Sequence, residues 1–212
     1  MPPRPRPPVY PVSLVIAGQP CLVVGGGPVA ARKIDGLTRA DAQVTVVAPR
    51  VDPAVGRIAA ERGLTVKHRP YRRGEAASYR LVITATGIPQ VDADVAADAD
   101  AAGVWVNSAD DAAHCTFLLP AIHRDGPVAV AVSTGGASPA LAVRLRSQIA
   151  EALGERVGEL AEVLADARHT IQASGRPTES IDWHTILAGP LLELVQAGHL
   201  DDARRLLNQA IA

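Results

Sequence analysis

The chain alternates between short apolar runs and stretches in which apolar residues recur at helical spacing. Cys21-Leu22-Val23-Val24 is an apolar run that ends in Gly25-Gly26-Gly27. Ala30, Ile34 and Leu37 then fall at i, i+4 and i+7, one face of a helix. Gln43–Val47 is β-rich and stops at Pro49, which completes a strand, glycine turn, helix and strand. Val55–Arg62 reads as a second helix closed by Gly63, and Thr65–His68 alternates like a short strand. Leu81–Thr86 is a further buried strand. Val91–Ala102 is an Ala/Asp-rich helix capped by Gly103, and Val104–Asn107 is the next strand. The order βαβαβ followed by βαβ predicts a doubly wound parallel sheet.

The rhythm changes after Asp111. Cys115–Ala121 and Pro127–Ser133 read as two strands joined by a turn at His123–Gly126, an antiparallel ribbon. A helix follows, with Ser138 as its N-cap and Pro139 at its first position. Leu141, Leu145 and Ile149 form one apolar stripe; Val157, Leu160, Ala161 and Leu164 form another. Residues 173–180 read as a loop. The rest is helical, with Asp201 and Asp202 at the start of the last helix, where its dipole favours anions. No internal repeat is visible.

Composition narrows the class. The hydrophobic fraction is 48% but the aromatic fraction only 3%, so the core must be Ala, Val, Leu and Ile, which suits a buried parallel sheet. A net charge of -1 offers no broad basic patch, and no nucleic-acid partner is expected. Cys21 and Cys115 are too few and too distant for a disulfide framework, which points to a reducing, cytoplasmic setting. No stretch reaches the roughly 18 apolar residues of a membrane helix. Residues 1–8 are Pro/Arg-rich and read as a frayed arm rather than a signal peptide.

Candidate chemistry begins at the glycine run. Gly25-Gly26-Gly27-Pro28-Val29-Ala30 fits G-x-G-x-x-A. Gly25 permits a tight turn, Gly27 lets backbone approach a pyrophosphate, and Ala30 allows close helix–sheet packing. The helix start offers N–H groups and the positive dipole end to phosphates. The second strand ends Val47-Ala48-Pro49-Arg50, without the acidic residue that usually binds a ribose. Arg50 suits a 2′-phosphate, or is a solvated loop residue. Asp110 and Asp111 follow a strand at the sheet edge where ligands bind, so each is either a general base or a turn residue bonded to its own backbone. Ser133–Pro139 is either a second anion cradle or a capped connection. The six histidines share no ligand spacing, and no metal site is expected. His114 is kept as a candidate because it lies near Asp110.

Together these residues resemble one family. Tyr10-Pro11-Val12, Cys21–Lys33, Val106–Asp110, Thr116–Ala121 and Val130–Pro139 look like the N-terminal module of sirohaem synthase, the precorrin-2 dehydrogenase/sirohydrochlorin ferrochelatase family. The resemblance implies a Rossmann-like α/β domain over 1–111, a small α+β dimerisation segment over 112–148 and a helical module over 149–212. It implies NAD-dependent oxidation of precorrin-2, then Fe²⁺ insertion into sirohydrochlorin, with Fe²⁺ a substrate and not a bound cofactor. Cofactor contacts fall at Gly25, Gly26, Gly27, Pro28, Val29, Pro49, Arg50 and Thr86. The family's aspartate, implicated in both steps, falls on Asp110. Ser133, Thr134 and His114 are the substrate-side candidates, with Thr134 where the family can carry Ser. A homodimer is implied. Arg32, Lys33, Arg124, Arg144, Arg146 and Arg168 gain a use against a substrate with many carboxylates. The methyltransferase domain of bifunctional synthases does not fit in 212 residues, so the free-standing form is expected.

Three rivals stand beside this reading. One is a dehydrogenase that leaves iron to a separate chelatase. Another is a non-catalytic NAD-binding regulatory module. The third, a short-chain oxidoreductase, needs Tyr-x-x-x-Lys, and none of Tyr10, Tyr71 and Tyr79 has Lys four residues on.

Overall fold

A computed structural model describes residues 8–109 and 111–211. The chain divides into two compact units, Met1–Leu119 and Pro120–Ala212.

In the first unit five strands form one parallel sheet: β1 (Pro20–Val24), β2 (Gln43–Val47), β3 (Thr65–Lys67), β4 (Leu81–Thr84) and β5 (Trp105–Ser108). Their spatial order is β3-β2-β1-β4-β5, with the order reversing about β1. Strand β1 pairs with β2 from Pro20↔Gln43 to Val24↔Val47, and with β4 from Cys21↔Leu81 to Val24↔Thr84. Helices α1 (Pro28–Thr38), α2 (Pro53–Arg62) and α3 (Pro89–Ala101) connect them.

Side-chain alternation along each strand splits the core in two. Cys21 and Val23 face Ile34, Leu37 and Val55 of α1 and α2. Leu22 and Val24 face Val95, Ala96 and Ala99 of α3. Both faces are covered, which explains why the strands are continuously apolar. Helix α2 starts on Asp52, whose carboxylate accepts from the Ala54 amide, and ends at Gly63, φ 66°.

In the second unit β6 (Ala121–Asp125) and β7 (Val128–Val132) form an antiparallel hairpin, followed by α4 (Pro139–Leu153) and α5 (Val157–Ala173). Helices α6 (Trp183–Leu187), α7 (Leu191–Gln196) and α8 (Leu200–Ile211) complete it. Ser138 caps α4 by accepting from the Leu141 amide, and Pro139 opens the helix, as expected. Asp201 and Asp202 sit in the first turn of α8.

Three expectations need correction. The first ribbon strand is Ala121–Asp125 and not Cys115–Ala121, and the turn is Gly126-Pro127. Gly126, with φ 51°, meets the positive-φ demand of a two-residue hairpin turn, so His123, Arg124 and Asp125 lie in the strand. Residues 115–117 instead strap the edge of β5. The Thr116 amide donates to Val106 O at 2.9 Å, the Val106 amide to Thr116 Oγ1 at 2.8 Å, and Asn107 Nδ2 to Phe117 O at 3.0 Å. These bonds occupy an edge that would otherwise be open.

The stripe Leu141, Leu145 and Ile149 is exposed, and Ala142 is the buried residue of α4. On α5 the buried set is Gly158, Leu160, Val163, Ala167 and Ile171, while Val157, Ala161 and Leu164 are half-buried. The stripe is rotated because this helix packs on Leu191 and Val195 of α7 and on Ala203, Leu207 and Ile211 of α8. Among the described residues, no helix is long and apolar enough to cross a membrane.

Candidate functional site

The glycine loop is stapled between its neighbours at the carboxyl edge of the sheet. The Gly25 amide donates to Val47 O at 3.0 Å, and the Asp52 amide donates to Gly26 O at 2.7 Å. Gly25 has φ 128°, and a Cβ there would lie 2.2 Å from Ala85 O, against the end of β4. A Cβ on Gly26 would lie 2.2 Å from Arg50 O. Gly25 and Gly26 therefore let three loops meet: the one after β1, the one after β2 with Pro49 and Arg50, and the one after β4 with Thr86.

Gly27 differs. It is the N-cap of α1 with ordinary φ -85°, no side chain caps the helix there, and a Cβ would meet nothing within 4 Å. The first-turn amides of α1 are thus left without a side-chain acceptor, beside open space. That is the geometry a pyrophosphate requires. Pro28, Pro49 and Arg50 are exposed and Val29 is half-buried. Asp52, the first carboxylate after β2, caps α2 through Oδ1, which accepts from the Ala54 amide at 2.8 Å.

The end of β4 carries a second construction. Asp92, on the first turn of α3, is 7% exposed, and Thr84 is fully buried. One oxygen, Asp92 Oδ1, accepts from Thr84 Oγ1, from the Thr86 amide at 3.1 Å and from Thr86 Oγ1 at 2.8 Å. The Ile88 amide donates to Thr86 Oγ1 at 3.0 Å, which closes the turn at Gly87. Sequence reasoning singled out Thr86 and missed Asp92. Its signal was present: Asp92, Val95, Ala96 and Ala99 share the buried face of α3 at i, i+3, i+4 and i+7, so this aspartate falls on an otherwise apolar stripe.

A cavity of about 260 Å³ opens beside it, lined by Gly87, Pro89, Asp92, Ala93, Ser108, Asp111 and His114. Asp110 lies outside the described residues. On either side of it in sequence, Ala109 donates its amide to Thr84 O at 2.9 Å, and Asp111 begins a short 3-10 turn. Asp111 accepts from the Ala113 amide at 2.9 Å and from His114 Nδ1 at 2.8 Å. Those bonds hold its carboxyl below the usual carboxylate range, backbone bond first. Asp111 is thus a capping residue, and it orients the His114 ring at the cavity wall. Cys115 Sγ accepts from the Ser108 amide at 3.2 Å, and burial pushes its thiol up. The thiol ties the turn to β5.

Ser133 and Thr134 belong to the second unit. Ser133 Oγ accepts from the Gly135 amide at 3.2 Å. Thr134 Oγ1 accepts from the Ser138 amide at 3.0 Å and donates to Ser138 O at 3.1 Å. Both hydroxyls are engaged within their own loop, which is the capped connection between β7 and α4. Nearby on α4, Arg146 Nε is buried without a hydrogen-bond partner among the described residues. No group of three or more His, Cys, Asp or Glu among the described residues could hold a metal ion.

Comparison with known proteins agrees with this geometry. Residues 12–121 match a family model described as putative NAD(P)-binding, and residues 125–152 match one described as the central part of a sirohaem biosynthesis protein. The chain is 40% identical over 203 residues to a siroheme synthase of Methylococcus capsulatus, covering 94% of this chain and 43% of that protein. It is 39% identical over 198 residues to a siroheme synthase of Pseudomonas putida, covering 92% and 43%. The chain spans less than half the length of these curated relatives. The solved structure of SirC, precorrin-2 dehydrogenase, matches with a TM-score of 0.74 and 26% identity, over 96% of this chain and 98% of that one.

Proposed function

We propose a function from one premise: the chain belongs to the putative NAD(P)-binding family and carries the central segment of the sirohaem biosynthesis proteins. The protein oxidises precorrin-2 to sirohydrochlorin with NAD, and Fe²⁺ insertion to give sirohaem follows. The observation that carries this is the glycine loop stapled to both flanking loops, with Gly27 open above the start of α1, in a chain that matches SirC almost end to end.

When bound, NAD supplies the hydride acceptor. The residues present fit it. The first-turn amides of α1 take the pyrophosphate past Gly27, and Gly25 and Gly26 bring backbone close enough to do so. Pro28, Val29, Pro49 and Arg50 shape the adenosine side; Thr86 lies on the nicotinamide side. Asp110, which follows Ala109 in sequence, takes the proton lost as the macrocycle is oxidised. The same carboxylate removes pyrrole protons as the metal enters, so one base serves both steps. His114 lines the first-unit cavity proposed to take the substrate. Functionally, 1–111 binds cofactor and 112–148 dimerises, with 149–212 a helical module. The protein is a cytoplasmic homodimer.

The test is anaerobic incubation with precorrin-2 and NAD, followed by Fe²⁺ or Co²⁺, with absorbance reporting each chromophore. Asp110→Asn is expected to keep NAD binding and lose most turnover, on the order of 10²-fold or more. Unchanged turnover in that variant removes the assignment. A second reading, dehydrogenation alone with a separate chelatase, is favoured by one observation: SirC is named for that step only. It predicts sirohydrochlorin formation without metal uptake.

A further inference from the structure

Resting on the NAD reading, we infer that Asp92 is a positioning residue for the cofactor, acting through Thr86. The loop from Ala85 to Ile88 lies against the glycine turn, since Gly25 has no room for a Cβ beside Ala85 O. Whatever fixes that loop fixes one wall of the cofactor groove. The loop's first residue still bonds to β1, the Ala85 amide donating to Val24 O at 2.8 Å, but β4 has ended at Thr84 and the rest of the loop needs another anchor. The anchor is Asp92 Oδ1, which collects donors from Thr84 and from both the amide and the hydroxyl of Thr86. Thr84 is fully buried and Asp92 nearly so, so the anchor stands on the rigid strand and helix, and Thr86 hangs from it.

The placement decides which half of the cofactor depends on it. The pyrophosphate lies at β1, and the ribose on the adenine side lies toward the end of β2 in folds of this order. Asp92 is on the other side of β1, behind β4. Its loop therefore borders the nicotinamide half and leaves the ADP half alone. All three donors converge on one oxygen, so an amide oxygen in the same place can accept all three. Negative charge is not what the anchor needs.

The experiment measures binding of NAD and of ADP to the full chain by calorimetry. Asp92→Ala is expected to weaken NAD about tenfold, about the net worth of one hydrogen bond, with ADP binding unchanged. Asp92→Asn is expected to restore NAD binding to the wild-type value. A purely structural role would weaken both ligands together. Thr86→Val, which removes the hydroxyl from the loop side, is expected to reproduce the NAD-selective loss. It keeps the test available if Asp92→Ala does not fold. In the double variant the two losses should not add. Wild-type NAD affinity in both Asp92→Ala and Thr86→Val overturns the assignment, as does equal loss of ADP. Failure of the wild type to bind NAD overturns the cofactor reading itself.

Discussion

Consecutive glycines at positions 25 to 27 do three different jobs, and only one of them faces a ligand. Gly25 takes a positive φ and touches the end of β4; Gly26 touches Arg50 O; Gly27 touches nothing. Alanine substitutions should separate these roles. Gly26→Ala places a methyl 2.2 Å from a backbone oxygen, so the β2–α2 loop must move. It is expected to cost about 1–3 kcal/mol of stability, the range for overpacking, and to abolish NAD binding with it. Gly27→Ala keeps φ -85° and clashes with no protein atom, so its thermal unfolding should match the wild type. Its methyl fills the space for the pyrophosphate, so NAD affinity should fall alone. Thermal melts and NAD titrations on both variants check the pair. The same residues show what sequence can reveal about a site. The spacing of Gly25, Gly27 and Ala30 announces phosphate chemistry because it is local. Asp92 interrupts the apolar face of α3, but its role is hidden because its partners Thr84 and Thr86 lie eight and six residues away, outside the helix.

Elements built on parallel strands were legible, and the hairpin was only partly so. Strand β1 ends directly before Gly25, and the other sheet strands end within three residues of a glycine, a proline or a helix cap, so pattern and boundary nearly coincide. Residues 115–121 carry a strand-like pattern for another reason. Thr116 and Phe117 supply groups that satisfy the exposed edge of β5, and the chain there runs along a strand without pairing as one. The rotated stripe of α5 depends on α7 and α8, which begin at Leu191 and Leu200, beyond the reach of local periodicity. One contact fixes hairpin against helix. The Gly158 amide donates to Asp125 Oδ2 at 3.0 Å, and a Cβ on Gly158 would lie 2.4 Å from Asp125 O. Gly158→Ala is therefore expected to push β6–β7 off α5 and to destabilise this unit by about 1–3 kcal/mol. Denaturant unfolding followed by Trp183 fluorescence reads it, because Trp183 packs on the core of the same unit. An unchanged midpoint would mean that the hairpin is held elsewhere.

At the scale of the whole molecule, α4 poses the open demand. It packs on the hairpin through one side and leaves Leu141, Leu145 and Ile149, at i, i+4 and i+8, between 37% and 49% exposed. A continuous stripe of this kind on a helix that already has one partner marks an interaction surface. The stripe lies in the segment 112–148 and just past it, the part proposed to dimerise, and the matched central segment at residues 125–152 includes it whole. Light scattering at micromolar concentration should give twice the mass of one 22.0 kDa chain. The double variant Leu141→Glu, Leu145→Glu should dissociate it. Withdrawing two leucines from an interface forfeits about 3 kcal/mol, roughly a hundredfold in the dissociation constant. Because both side chains are exposed within one chain, the variant should keep its fold by circular dichroism. NAD binding should persist as well, since the glycine loop and the Asp92 anchor lie wholly in the first unit. Turnover of precorrin-2 separates two architectures from there. If each chain completes its own site, the monomeric variant stays active. If the partner's second unit supplies the residues that meet the substrate's carboxylates, activity falls with dissociation and returns at high protein concentration, where mass action restores the pair.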